Sequence, residues 1–396
     1  MKQQIIYIPY HQKVDEVCDF VFQTISILLK RGFVVKIILY DYAYIFGDPY
    51  NYEYFSDAYH TLLKHPRFSV IRPLFYMRSR QGLRRLYKLN REIEVRRLVS
   101  IMSLSQNNVL WVFWPEDVDL VVYVKNQYPQ MTCVYDCVDY FTSTNPILSQ
   151  VIQKQEAILA KSVDYVFINS HSLGKAKSTL SRNSSHVPVG FDEKNFSKAG
   201  KMQLLEIDKL FESIPPPIAG YCGALTYRID YQLLLDLIPR MNNMSFVFFG
   251  PIKIFPYEQH ASMTINLIKQ LAELPNIYML PAFDKKVQTA LAIDHFDLGI
   301  IPYRASYDFN KYCYPMKLFE YFYMRKPVVS TPIEELKRFP EYVRIGTTVE
   351  EWEEHITSLL SKPWPDSNKQ AQRRLAIDNS WERKIQKIMR VIESEE

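Results

Sequence analysis

Glycine is scarce in this chain, at 11 of 396 residues, while aromatics reach 14%. That balance excludes a disordered or loop-dominated polymer, which is poor in aromatic bulk. Cysteine is sparse and odd in number: Cys18, Cys133, Cys137, Cys222 and Cys313. Cys133 and Cys137 stand four apart, but no second pair completes a zinc motif. They read as buried free thiols of a reducing compartment. No apolar run approaches the roughly 20 residues that span a bilayer. Met1-Lys-Gln-Gln leads directly into a short apolar segment rather than a signal-peptide core, so a cytoplasmic protein is expected. No internal repeat is present.

What is there is a chain long enough for two domains, with 47% hydrophobic residues to fill two cores. Charge is uneven. Residues 1–200 carry 24 Lys and Arg against 18 Asp and Glu, whereas 201–396 carry 24 against 25. The basic excess of the first half suits an anionic surface or substrate. Continuous apolar segments such as Val34–Tyr40 have the character of parallel strands covered on both faces. They alternate with amphipathic helical segments such as Val14–Lys30, which is an α/β pattern. Further strands are expected at Ile5–Pro9, Val70–Phe75, Val109–Phe113, Cys133–Asp136 and Val163–Ile168. The polar stretch from Ser197 and the stiff Pro215-Pro216-Pro217 interrupt the alternation, and a second α/β series follows. Domains are expected over 1–197 and 198–376, with a final helix over 377–396 that has Ser380 at its N-cap.

The most informative segment runs from Tyr312 to Thr331, YCYPMKLFEYFYMRKPVVST. Pro315 suits the first turn of a helix, where a missing N–H costs nothing. Lys317 and Glu320 then fall on one helix face. A helix start at Met316 beside a Lys favours a phosphate, and a carboxylate one turn later can accept two bonds from vicinal ribose hydroxyls. The combination points to a nucleotide. The segment resembles the donor site of GT-B glycosyltransferases, in particular the bacterial family 4 group that builds surface polysaccharides such as teichuronic acid and exopolysaccharides. Its pattern, Pro-x-Lys-x-x-Glu-Tyr and then Pro-Val-Val-Ser/Thr-Thr, is matched by Pro315, Lys317, Glu320, Tyr321, Pro327, Val328, Val329 and Thr331. One departure stands out: Tyr312 occupies a position where many of these enzymes carry Glu.

The resemblance implies two Rossmann-like doubly wound domains facing across a cleft, with a C-terminal helix containing Trp381-Glu382 that returns to the first domain. It implies transfer of a sugar from a nucleoside diphosphate sugar to a hydroxyl of a surface-polysaccharide or lipid-linked glycan. Gly223 opens the loop that would lie over the donor phosphates. Arg228 in that loop has the forked guanidinium that grips diphosphate oxygens, although a solvated loop charge reads the same way. Gly250 would lie beneath the base, and the segment ending at Leu280 would read the base edge through its backbone. No Asp-x-Asp motif is evident in the second half, so no obligatory metal or other cofactor is expected.

On the acceptor side, Val134-Tyr-Asp-Cys-Val-Asp-Tyr140 ends a strand with two acids. Both are candidates for general base, with Asp139 read as the functional acid and Asp136 as the turn-forming one, although an acid here can equally serve only to cap the turn. Glu116 and His11 follow other strands and can meet the acceptor, though a lone His is as readily structural. Arg78–Arg97 holds eight basic residues and two acids with interleaved apolar positions. It reads as a helix able to lie on the anionic inner face of a membrane or to meet a lipid diphosphate, or simply as a solvated face. No nucleic-acid recognition motif is evident. The rival readings are a nucleotide-sugar-binding GT-B protein without transfer activity and a GT-B epimerase.

Overall fold

Short apolar runs bounded by polar turns pair as parallel strands here because helices cover both faces of each sheet. The computed structural model describes residues 4–11, 19–39, 57–71, 84–105, 107–143, 146–177, 180, 184–197, 201–254, 261–281 and 286–394. They divide into two compact units, one of residues 1–188 and 384–396 and the other of residues 189–383.

The first unit contains β1 (Ile5–Tyr10), β2 (Val34–Leu39), β3 (Phe68–Ile71), β4 (Val109–Val112), β5 (Thr132–Cys137), β6 (Tyr165–Ile168) and β7 (Ser184–His186). Their order in the sheet is β3-β2-β1-β4-β5-β6-β7, and all pairs are parallel. The second unit contains β8 (Ile218–Cys222), β9 (Ser245–Phe249), β10 (Ile277–Leu280), β11 (Leu298–Ile301), β12 (Val328–Ser330) and β13 (Val343–Ile345), ordered β10-β9-β8-β11-β12-β13. In each sheet the winding reverses next to its first strand, at β1/β4 and at β8/β11. Loops leaving the carboxyl ends of such a pair diverge and open a crevice where ligands bind in this architecture.

Two short strands escape the sequence pattern. β7 is the polar Ser-Ser-His and β13 is the three-residue edge Val-Arg-Ile; neither has the apolar run that marks a buried strand. Residues 72–75 of the expected third strand and 14–18 of the first helix lie outside the described residues. The expected linker near 198–216 contains a helix, Lys201–Phe211. Ile207 and Phe211, one turn apart, are its buried positions. His295 stacks on Phe211 at 4.4 Å and accepts or donates a 2.9 Å bond with Asp208, which ties the helix to the second unit. The prolines follow this helix rather than replace it.

The C-terminal helix, Trp381–Glu393, begins with the Arg383 amide donating to Ser380 Oγ at 3.4 Å. Its Ile385, Ile388 and Met389 are fully buried. Lys384, 3% exposed, donates to Asp136 Oδ1 at 2.9 Å.

Candidate functional site

In the second unit the site is built on the loops that leave β8 and β11. Gly223 and Gly250 have φ of +136° and +144°, values an L side chain resists. The Gly223 amide donates to the Phe249 carbonyl at 2.9 Å, and a Cβ on Gly250 would lie 2.2 Å from the Gly223 carbonyl oxygen. The loops leaving β8 and β9 therefore meet backbone to backbone. A Cβ on Gly223 would stand 3.3 Å from Lys317 Nζ, so this glycine also leaves room for the ammonium.

The helix Lys317–Tyr323 is pinned by its aromatic face. Tyr321, fully buried, shares its one hydroxyl hydrogen between the carbonyls of Gly220 at 3.1 Å and Ile300 at 3.2 Å and accepts from the Cys222 amide at 3.3 Å. A family-matching tyrosine is thus a structural rivet between the helix, β8 and β11. It fixes the angle at which Lys317 and Glu320 leave the helix. Glu320 Oε2 accepts from the Cys222 thiol at 3.5 Å, beside the end of β8. Burial foremost, and then the Glu320 charge, push that thiol well above its ordinary value, so it stays protonated and donates. Burial likewise holds Cys133 and Cys137 at about 12, as inert thiols.

Lys317 Nζ donates to the Tyr303 hydroxyl at 2.6 Å and lies 5.0 Å from the Tyr221 ring centre. Burial works against its charge; the oxygens of Tyr221 and Tyr303 and the Cys222 sulfur work for it, and the balance keeps the ammonium above its ordinary range. The Arg228 guanidinium carbon lies 4.8 Å from the ring centre of Tyr303 and 4.4 Å from that of Phe309. Its Nε donates to Asn310 Oδ1 at 2.8 Å, and Asn310 Nδ2 donates back to the Arg228 carbonyl at 3.1 Å. Arg228 is therefore a fixed guanidinium, not a loose loop charge. Tyr303, Phe309 and Asn310 went unread in the sequence. Asn310 is fully buried in a short helix, Asp308–Lys311, and an Asn among aromatics was the available signal. Arg304 turns aside to the Tyr307 hydroxyl at 3.0 Å. Tyr312 caps the short helix, with the Lys311 ammonium over its ring at 5.3 Å. Met316 is the N-cap of the Lys317 helix, and Leu280 ends β10, half-buried.

In the first unit a second constellation forms at β1/β4. His11 follows β1, and Trp114-Pro-Glu-Asp117 follows β4. His11 Nε2 is 2.7 Å from Asp117 Oδ1, and its Nδ1 is 3.8 Å from Glu116 Oε2. His11 is 8% exposed and Asp117 is fully buried. Asp117 Oδ2 has no hydrogen-bond partner among the described residues. Trp114 packs edge-on against the imidazole at 5.4 Å. His11 is therefore not a lone histidine, and Asp117 is the member that sequence reading missed.

Asp136 corrects its expected catalytic role. It lies inside β5, 0% exposed, with Lys384 on one oxygen. Burial foremost raises its carboxyl above the ordinary value; Lys384 opposes this most strongly, with a smaller contribution from the Trp111 indole. A group so enclosed cannot reach an acceptor. Asp139 lies past the strand end, half-exposed, and its carbonyl accepts from the Phe141 amide at 3.1 Å. The turn is anchored from below by the Asn169 amide donating to the Cys137 carbonyl at 3.2 Å.

No family model matches the chain. A curated Bacillus subtilis (strain 168) protein named "Putative teichuronic acid biosynthesis glycosyltransferase TuaH" is 25% identical over 275 residues, which are 65% of this chain and 66% of that protein, just under two thirds of its length. Among solved structures, a glycosyltransferase from Rickettsia africae ESF-5 superposes with a TM-score of 0.71 at 14% identity over 100% of this chain and 99% of that one. Anabaena Alr3699/HepE, solved with UDP and glucose, gives a TM-score of 0.72 at 13% identity over 99% and 100%. The chain has the GT-B fold. A sucrose-phosphate synthase from Thermosynechococcus elongatus shares this fold, with a TM-score of 0.72 at 12% identity over 99% of each chain.

Among the described residues of this GT-B chain, no helix is long and apolar enough to cross a membrane, and no group of three or more His, Cys, Asp or Glu is placed to hold a metal ion. Of the expected basic helix, residues 84–97 are described, within the helix Arg84–Ile101. Arg91 is 3% exposed, with Nη2 donating to the Glu116 carbonyl and Nε 3.6 Å from Asp119. Arg96 and Arg97 pair with Glu92 and Glu94.

Proposed function

We propose that this protein is a glycosyltransferase that moves a sugar from a nucleoside diphosphate sugar to a hydroxyl of a surface-polysaccharide or lipid-linked glycan. The observation that carries the donor half is the convergence of Glu320, Lys317 and Arg228 at β8/β11, tied together by Cys222, Gly223 and Tyr303. Two cations and one carboxylate, each held by neighbours, suit a diphosphate and a ribose. Lys317 and Arg228 stabilise charge developing on the leaving diphosphate, usually the largest single contribution in such transfers. Glu320 accepts the ribose hydroxyls, and the backbone near Gly250 and Leu280 meets the base. Uridine is the first base to test, because a structural neighbour was solved with UDP. On the first unit, His11 oriented by Asp117 takes the acceptor proton, with Glu116 and Asp139 as acceptor-binding residues. No obligatory metal takes part.

Thermal melting with a panel of nucleoside diphosphates tests the donor site, since a ligand that binds only the folded state raises its melting temperature. UDP is expected to raise it, and Glu320→Ala to weaken UDP binding about 10-fold through the lost charge-assisted hydrogen bonds. Unchanged affinity in that variant would sink the ribose role, and no shift with any nucleotide would sink the whole reading. Turnover of nucleotide sugars in EDTA then separates an enzyme from a binder. Loss of turnover in EDTA, restored by a divalent cation, would refute the metal-free proposal.

The acceptor is proposed to reside at an anionic membrane surface, reached by peripheral contact. Leu89 and Ile93 are each 55% exposed on the helix Arg84–Ile101. The helix Pro146–Ser162 exposes Ile147, Leu148, Val151 and Ile158, with Lys154 and Lys161 at heptad spacing on the same face. Apolar side chains with flanking lysines suit the interface of an anionic bilayer. The protein is expected to sediment with phosphatidylglycerol vesicles at low salt and to be released as salt rises. Failure to sediment at low salt overturns membrane contact and leaves the donor site standing.

A further inference from the structure

One side chain of the second unit touches both cations of the donor site. The Tyr303 hydroxyl accepts from Lys317 Nζ at 2.6 Å, and the ammonium lies 4.9 Å from the ring centre. The guanidinium carbon of Arg228 lies 4.8 Å from the same centre. Tyr303 is itself fixed. It is 6% exposed, its carbonyl accepts from Thr331 Oγ1 at 2.6 Å, and it forms an antiparallel bridge with Ile229. Phe309 covers Arg228 at 4.4 Å, and Asn310 holds its Nε.

Gathering these side chains has a cost. Two like charges near one another repel, and each long side chain loses rotamer freedom when held. The electron-rich face of an aromatic ring attracts both cations, and the hydroxyl fixes one of them by a directional bond. The ordering is therefore complete before a ligand arrives, which strengthens binding without any new contact to the ligand.

We infer that Tyr303 is a positioning residue for diphosphate recognition: it assembles Lys317 and Arg228 into one receptor for the two phosphates of a nucleoside diphosphate. The inference rests on the donor-site reading above. Tyr303 acts through its neighbours, so its role is separable from theirs. Nothing local to the chain marks it, since a tyrosine after Ile301-Pro302 is indistinguishable from any core aromatic.

The test is calorimetric titration of the full-length protein with UDP and with uridine, using wild type, Tyr303→Phe, Lys317→Met and the double variant. Tyr303→Phe keeps the ring over Arg228 and removes only the acceptor of the Lys317 bond. It is expected to raise the Kd for UDP about 10-fold and to leave that for uridine within about two-fold. In the Lys317→Met background the same change is expected to alter UDP affinity by less than about two-fold, because the partner it acts through is gone. Tyr303→Leu, which also removes the ring, is expected to lose more than Tyr303→Phe. Unchanged UDP affinity in Tyr303→Phe overturns the inference. So does an equal loss for uridine, which would mark a purely structural role, or an undiminished loss in the Lys317→Met background. Wild type that binds no nucleoside diphosphate overturns the donor-site reading as well. UDP binding that needs Lys317 but ignores Tyr303 overturns this inference alone.

Discussion

Replacing His11 by Ala is expected to lower kcat by about 10²–10⁴-fold, the usual worth of a positioned general base, while UDP affinity stays within about two-fold. The expectation comes from the division of labour around the ring. Nε2 faces Asp117 Oδ1 at 2.7 Å. In the tautomer with the proton on Nε2, Asp117 Oδ1 accepts that N–H and Nδ1 is the nitrogen proposed to take the acceptor proton. Asp117 then stabilises the imidazolium that results. Asp117 Oδ2, fully buried and without a partner among the described residues, costs stability of about 1–3 kcal/mol. Asp117→Asn keeps the shape but permits the wrong tautomer, and is expected to lose turnover by a factor approaching that of His11→Ala. Single-turnover sugar transfer with the natural donor measures both. Wild-type rates in His11→Ala, with a large loss in Asp139→Asn, would move the base to Asp139.

The second large effect concerns stability. Lys384→Met removes one partner of a fully enclosed ion pair and leaves the Asp136 carboxylate inside β5 without its cation. Breaking such a pair from one side typically costs about 3–5 kcal/mol, far more than the pair contributes against an apolar replacement. Asp136 already carries a raised carboxyl through burial, and Lys384 is its main compensation. The variant's carboxyl is therefore expected to become protonated in the folded protein. Urea unfolding followed by tryptophan fluorescence reports on this region, because Trp111 adjoins Asp136. The two units need not unfold together, so the comparison is between transition midpoints of this signal. Asp136→Leu combined with Lys384→Met is expected to recover much of the loss, since both charges are gone. A loss below about 1 kcal/mol in Lys384→Met would mean the pair is hydrated and worth no more than a surface bridge.

The strands and the donor segment were legible because each has a local cause. Val109–Val112 is apolar on both faces and Val34–Leu39 is apolar but for Lys36, and such runs suit a doubly covered parallel strand. Lys317 and Glu320 share a helix face by periodicity alone. The Lys201–Phe211 helix was hidden by the polar and proline-rich residues on either side of it, and β7 and β13 by their brevity. Asp136 was misread because a strand-terminal acid and a strand-interior acid look alike in one dimension. Its partner, Lys384, is 248 residues away.

The amino-acid sequence by itself determined the α/β alternation, the helix that follows Pro315, and the pairing of a cation and a carboxylate at the start of that helix. All of these depend on residues within a few turns of each other. The tertiary structure decided which acids are buried, that His11 has Asp117 beneath it, and that Tyr303 joins Lys317 to Arg228. These depend on winding reversals at β1/β4 and β8/β11 that bring distant loops together. A hydrogen bond between residues 106 positions apart leaves no periodic trace in a single sequence, because its cause is the sheet order and not the local chain.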